Sequence, residues 1–315
     1  MEYLFDIDTI QFNDFTYYVN NPTGVGPNIG YRYLIAALNI TDLHQWMPIL
    51  LAFSLNIIVD ISWISISKKY LSMRALVLFI ILIAIQPYGN LYTIKFSTII
   101  FAKIFIVYYF YHYLYKENEQ IKITWLQFFI MNIFALLRNS NALILIPFLI
   151  FSNLKLKMSL IFSGILMLTI VHIYLSGDYV DGLSPFNKPW DFNYVQTLLD
   201  SSSTVYTVIV LILSRIFILF GAREAIHNLG IEPFLTSSLS LIEIFFYLFL
   251  ALINIVGFCY ACYTFRSKFK FLFMLIIPLF LATFTVFHAR YFLPYLPLSL
   301  LGIALLYDTI KNKKN

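Results

Sequence analysis

Charged residues are scarce in this chain: Asp, Glu, Lys and Arg make up 12% of its 315 residues. A soluble domain covers its surface with about 25% of them, so a water-facing globule is excluded. Cysteine is scarcer still. The two present, Cys259 and Cys262, fall inside one apolar run, where a CxxC reads as inert packing rather than metal or redox chemistry. The soluble-enzyme signatures are also missing: GxxxxGK[ST], GxGxxG, HExxH and GxSxG do not occur. No internal repeat or low-complexity segment stands out, which points to a single domain over 1–315. The acidic first residues, with no basic start before an apolar core, do not read as a signal peptide.

What remains is apolar and aromatic. Hydrophobic residues make up 60% of the chain and aromatics 19%, with 32 Phe and 23 Tyr. That composition belongs in lipid. The net charge of +5 does not point to nucleic acid, because the lysines form no single patch and instead punctuate the gaps between apolar runs. Crossing a hydrocarbon core of ~30 Å takes ~20 helical residues, fewer where a helix is broken or starts in a protein-lined cavity. Charge-bounded runs at 47–67, 73–87, 96–115, 123–137, 142–153, 158–176, 238–264, 271–287 and 291–307 predict an all-α, polytopic transmembrane bundle of about nine crossings.

Orientation follows from the basic residues. Lys68, Lys69, Arg74, Lys116, Lys122, Lys155, Lys157, Arg266, Lys268, Lys270, Lys311, Lys313 and Lys314 fall on one side of that alternation, which is therefore cytoplasmic. Most of the acids fall on the other side, including Asp6, Asp8 and Asp14. Residues 1–46 then form an outward acidic segment. Because no apolar run precedes them, either the start codon lies upstream or the next helix carries them across. The run 204–222 breaks the alternation, since a crossing there would invert everything after it. It is read as an interfacial helix lying on or dipping into the outer leaflet, within an external region 177–237.

Burying a charge near mid-bilayer costs at least ~2.5–3.5 kcal/mol, so clustered ionisable groups are informative. Lys95, Arg138, His288 and Arg290 all fall at outward helix ends. Together these cations suit a phosphate or pyrophosphate at the outer boundary; singly, each also suits a side chain snorkelling to the headgroups. Asp60 and Lys103, inside two runs, read as an internal ion pair in preference to a proton relay. Asp6-Ile7-Asp8 matches the DxD of metal-dependent sugar transferases, so a divalent metal is admitted as a cofactor. No metal ligands are assigned, because the motif is short and lies where nucleotide sugars are not expected.

The arrangement Asp14, Tyr17, Tyr18, the polar turn from Pro87 to Lys95, "LLRNSNALILIPFLIF" and the terminal "HARYFLPYLP" resemble the GT-C superfamily of integral-membrane glycosyltransferases. The stretch from "DFTYY" through "NIGYRYLIAALN" is similar to EpsG-like and Wzy-type polysaccharide polymerases. The resemblance implies a sugar donor on a polyprenyl phosphate or pyrophosphate, and a glycan or lipid-linked acceptor. It also implies a catalytic carboxylate in the first external loop, here Asp14 with Asp8 and Asp6 as rivals. Lys95, Arg138, His288 and Arg290 would then face the lipid phosphate, and Tyr17, Tyr18, Tyr92 and Trp190 would contact sugar or acceptor. In the family a helix precedes the catalytic loop; none precedes Asp14 here. The expected setting is a bacterial cytoplasmic (inner) membrane with the site facing the periplasm. A repeat-unit polymerase is the first alternative. A lipid-linked oligosaccharide flippase and a non-catalytic scaffold stand behind it, the flippase disfavoured because ionisable groups gather on one face rather than along a path.

Overall fold

The computed structural model describes residues 47–86, 99–115, 216–222, 240–267 and 292–312, with isolated positions at 34, 124, 133, 209 and 213. The described residues are helical and contain no strand. Three of their helical stretches, Leu50–Ser67, Leu241–Thr264 and Leu293–Asn312, are long and apolar enough to cross a membrane. The chain divides into two compact units, Met1–Tyr179 and Val180–Asn315.

In the first unit, α1 (Met47–Ser67), α2 (Met73–Ile85) and α3 (Ile99–Phe110) each fall on a run expected to be helical. α3 continues into a π-helical turn, Tyr111–Tyr115. α1 buries Ala52, Val59, Trp63 and Ile66, while Leu50, Phe53, Ile57, Ile58 and Ile61 are exposed. An exposed face of large apolar residues suits a helix whose outer side meets lipid. Its hydroxyls fit that solvent: Ser62 and Ser65 donate to the carbonyls of Ile58 and Ile61 one turn back, at 2.7 and 2.9 Å, so neither leaves an unpaired donor among apolar neighbours. A tight turn held by Tyr70 N–H and Leu71 N–H donating to the Ser67 carbonyl leads to α2. α1 and α3 run parallel. Lys103 meets Asn56, the Trp63 ring lies 4.7 Å from that of Phe110, and Lys69 and Tyr70 donate to the Tyr115 and Leu114 carbonyls.

In the second unit, α4 (Leu241–Thr264) and α5 (Leu296–Asn312), the latter entered through a 3-10 turn at Leu293–Tyr295, are also parallel. α4 buries Ile244, Ala251, Asn254, Gly257 and Ala261 and exposes Ile242, Phe245, Phe246 and Phe249. Large apolar residues outside and small or polar ones inside is the reverse of a soluble helix and matches packing in lipid. Ser240 and Glu243 close a capping box at its start: Ser240 Oγ accepts from Glu243 N–H, and the Glu243 carboxylate accepts from Ser240 N–H at 2.8 Å. This satisfies two of the N–H groups that a helix start leaves open.

α4 and α5 approach closely at two glycines. A Cβ on Gly257 would overlap the Ser299 carbonyl oxygen, and one on Gly302 would overlap that of Gly257. Only hydrogen at both positions lets the backbones touch. Parallel neighbours are what a single intervening crossing gives; the runs 142–153, 158–176 and 271–287 lie outside the described residues, and 123–137 is described only at 124 and 133.

Candidate functional site

Every site residue expected from the sequence lies outside the described residues: Asp6, Asp8, Asp14, Tyr17, Tyr18, Tyr92, Lys95, Arg138, Trp190, His288 and Arg290. Described elements flank some of them. Gln86, buried at the end of α2, immediately precedes the Pro87–Lys95 turn. Arg290 comes two residues before Phe292, which is buried and opens the turn into α5. Glu243, in the first turn of α4, uses its carboxylate to cap its own helix.

Two polar assemblies are built by the described residues. The first is in α1 and α3. Lys103 is 6% exposed on an otherwise apolar helix, and its Nζ donates to Asn56 Oδ1 at 2.9 Å. Asn56 Nδ2 in turn donates to Asp60 Oδ2 at 2.9 Å. The expected Asp60–Lys103 pair is therefore linked through an amide. Asn56 and Asp60 are four residues apart, which places them on one helical face. The amide offers an acceptor to the cation and a donor to the anion, so each charge keeps a charge-assisted bond. Sequence reasoning named both charges and missed Asn56, whose place one turn before Asp60 was the available signal.

Removing one member of this chain should expose its cost. Lys103→Met leaves Asp60 without its cation and should lower stability by about 2.5–3.5 kcal/mol, the price of one uncompensated intramembrane charge. Thermal unfolding in detergent measures it. Asp60→Leu added to Lys103→Met should recover most of the loss; a double variant no better than the single one would show that the two charges do not sustain each other.

The second assembly joins the end of the run 204–222 to α4 and α5. Ile218–Ala222 forms a π-helical turn broken by Gly221 at φ 112°, a left-handed conformation that favours glycine. Asn254 Nδ2 donates to the Phe220 carbonyl at 3.0 Å, and Ser299 Oγ donates to the Asn254 carbonyl. Phe220 packs its ring 4.2 Å from Phe292 and 5.7 Å from Phe258. Asn254 stands about 20 Å along α4 from Leu241 and about 15 Å from Thr264, at 1.5 Å per residue. The end of this run thus docks on the middle of a helix long enough to span.

Cys259 is exposed and Cys262 half-buried, both as free thiols. Among the described residues, no cluster of three His, Cys, Asp or Glu side chains is placed to hold a metal. At the basic ends of α4 and α5 the Arg266 guanidinium sits 4.1 Å from the centre of the Tyr263 ring, and Lys311 lies 5.8 Å from that of Tyr307. Amphipathic rings with cations mark the level where a helix leaves lipid. Comparison of the chain with protein-family models, with curated proteins and with solved structures finds no match.

Proposed function

We propose that this membrane protein is a GT-C-type glycosyltransferase, moving a sugar from a polyprenyl-linked donor to a glycan or lipid-linked acceptor on the outer face of a bacterial cytoplasmic membrane. The full bundle of about nine crossings, with an outward amino-terminal segment, belongs to this proposal. The observation that carries it is the basic end that parallel helices share within each of the two units. α1 and α3 end together where Lys69 and Tyr70 bind the last carbonyls of the π turn, and α4 and α5 run parallel towards Arg266 and Lys311. Helices that share direction and end in cations fit the positive-inside alternation. Under that alternation Asp14, Lys95, Arg138 and Arg290 all fall at the opposite ends.

The chemistry asked of them is ordinary. A carboxylate accepts the proton of the acceptor hydroxyl as its oxygen attacks the anomeric carbon. Cations offset the charge that grows on the departing lipid phosphate. Asp14 takes the first role and Lys95, Arg138 and Arg290 the second, with His288 beside them. Tyr17, Tyr18, Tyr92 and Trp190 offer faces to the sugars.

The test is transfer by the purified, reconstituted protein with a polyprenyl-phosphate sugar, and separately with a nucleotide sugar. Transfer from the lipid-linked donor alone is expected. Arg138→Ala and Arg290→Ala should each raise KM for that donor about tenfold, the loss of ~1.4 kcal/mol of charge-assisted binding. Unchanged KM in both variants would remove the phosphate clamp, and translocation of the lipid-linked sugar without transfer would favour a flippase.

A further inference from the structure

The seam between α1 and α3 holds more polar groups than the Asn56 bridge uses. Along α1, Asn56, Asp60, Trp63 and Ser67 recur at spacings of four, three and four, which puts them on one face. That face meets α3: Lys103 binds Asn56, and the Trp63 ring packs on Phe110. From Asn56 to Ser67 the row covers about 16 Å of helix. Trp63 and Ser67 are both 0% exposed, and Trp63 Nε1 and Ser67 Oγ have no hydrogen-bond partner among the described residues.

The contrast within one helix gives these two groups their meaning. Ser62 and Ser65, half-buried on α1, satisfy their hydroxyls on carbonyls one turn back. The Ser67 hydroxyl makes no such bond, although the same geometry serves its neighbours. An indole N–H can only donate and a hydroxyl can do both, so a donor and a donor-acceptor stand on the face that also carries Asp60. A buried polar group left unpaired costs about 1–3 kcal/mol, and buried water is the usual remedy where several such groups converge.

We propose that the α1–α3 seam is a binding site for a short file of ordered water, held by Trp63 Nε1 and Ser67 Oγ and reaching the Asp60 carboxylate. The ligand is water rather than a metal ion. The Lys103 ammonium already occupies the cation position beside Asn56, and the indole nitrogen cannot ligate. Towards Tyr115 the file ends beneath Lys69 and Tyr70, whose bonds to the Tyr115 and Leu114 carbonyls close the seam. The site keeps the Asp60–Asn56–Lys103 chain hydrated inside a seam closed at its basic end, independently of any transferase activity.

X-ray hydroxyl-radical footprinting of the full chain in detergent tests this, because radicals form from water in place and oxidise the side chains that touch it. Trp63 should be oxidised in millisecond exposures despite its complete burial, whereas Phe110, equally buried against it, should stay unmodified. Exposed Met73 is the internal measure of dose. Ser67→Ala should slow Trp63 oxidation severalfold at unchanged Met73 oxidation and unchanged helix content. An intact Trp63 in folded protein whose Met73 is oxidised would overturn the proposal, as would an oxidation rate indifferent to Ser67→Ala.

Discussion

Gly302→Leu is expected to yield no stably folded protein. Inserting a methylene into a packed interior ordinarily costs about 1–3 kcal/mol, because neighbouring side chains can shift. At Gly302 the position a Cβ would take is held by the Gly257 carbonyl oxygen, with the Ala261 amide nitrogen 3.0 Å away. Backbone cannot rotate aside, so the helices must part by the width of a side chain. Parting them also breaks the bonds from Ser299 to the Asn254 carbonyl and from Tyr260 Oη to Thr309 Oγ1, the latter 2.9 Å long. Against a total stability of roughly 5–15 kcal/mol, these losses together leave little. Gly257→Leu should behave alike, since its Cβ would strike the Ser299 carbonyl and approach Ile303 Cγ1 at 2.8 Å. Size-exclusion profile and thermal unfolding in detergent are the readouts. Ile310→Ala, on an exposed position, is the matched control and should unfold as the parent does. A monodisperse Gly302→Leu with parental stability would mean that α4 and α5 do not touch through their glycines.

Asp14→Asn should abolish sugar transfer while leaving expression and membrane insertion intact. An amide is nearly isosteric with the carboxylate but takes no proton from the attacking hydroxyl, and loss of a general base costs typically 10²–10⁴-fold in rate. Transfer from a lipid-linked donor in reconstituted vesicles measures it. Asp6→Asn and Asp8→Asn are the comparison, because those two carboxylates are its rivals in the same segment. If Asp14→Asn transfers at the parental rate and one of the others does not, the base has been misassigned within the right loop. If all three transfer normally, the carboxylate mechanism falls.

The parts of this protein legible in its sequence are those written in one helix at a time. Residues 47–67 and 238–264 are apolar runs closed by basic residues, and the structure places α1 over 47–67 and α4 within the second. Charge counting on alternate sides needs no knowledge of contacts, so the common direction of α1 with α3 and of α4 with α5 was open to it. Pairwise facts were harder. Asp60 and Lys103 announced themselves because charge in lipid is rare. Asn56, uncharged, looked like any polar residue in a run until the fold set it between them. Gly257 and Gly302 carry no signal of partnership at all, since a glycine in a membrane helix is unexceptional. The break at Gly221 was hidden for a related reason: the run 204–222 is apolar overall despite Ser214 and Arg215, and hydropathy does not record where a chain turns. The candidate catalytic residues rest on sequence position and resemblance, and the described elements reach them only as flanks.

The direction shared by α4 and α5 has a consequence for the making of this protein. α4 leaves the ribosome well before its partner: the earlier Phe220 carbonyl can already meet the Asn254 amide, but the bare backbone at Gly257 enters the bilayer uncovered. Bare backbone facing acyl chains is tolerable for a single helix, but it leaves a groove that only the later helix fills. Until α5 arrives and Ser299 and Gly302 seat against it, the second unit is an unfinished product. Slow translation between the two helices would lengthen that interval, and synonymous codons there become a lever on yield with no change in a single residue.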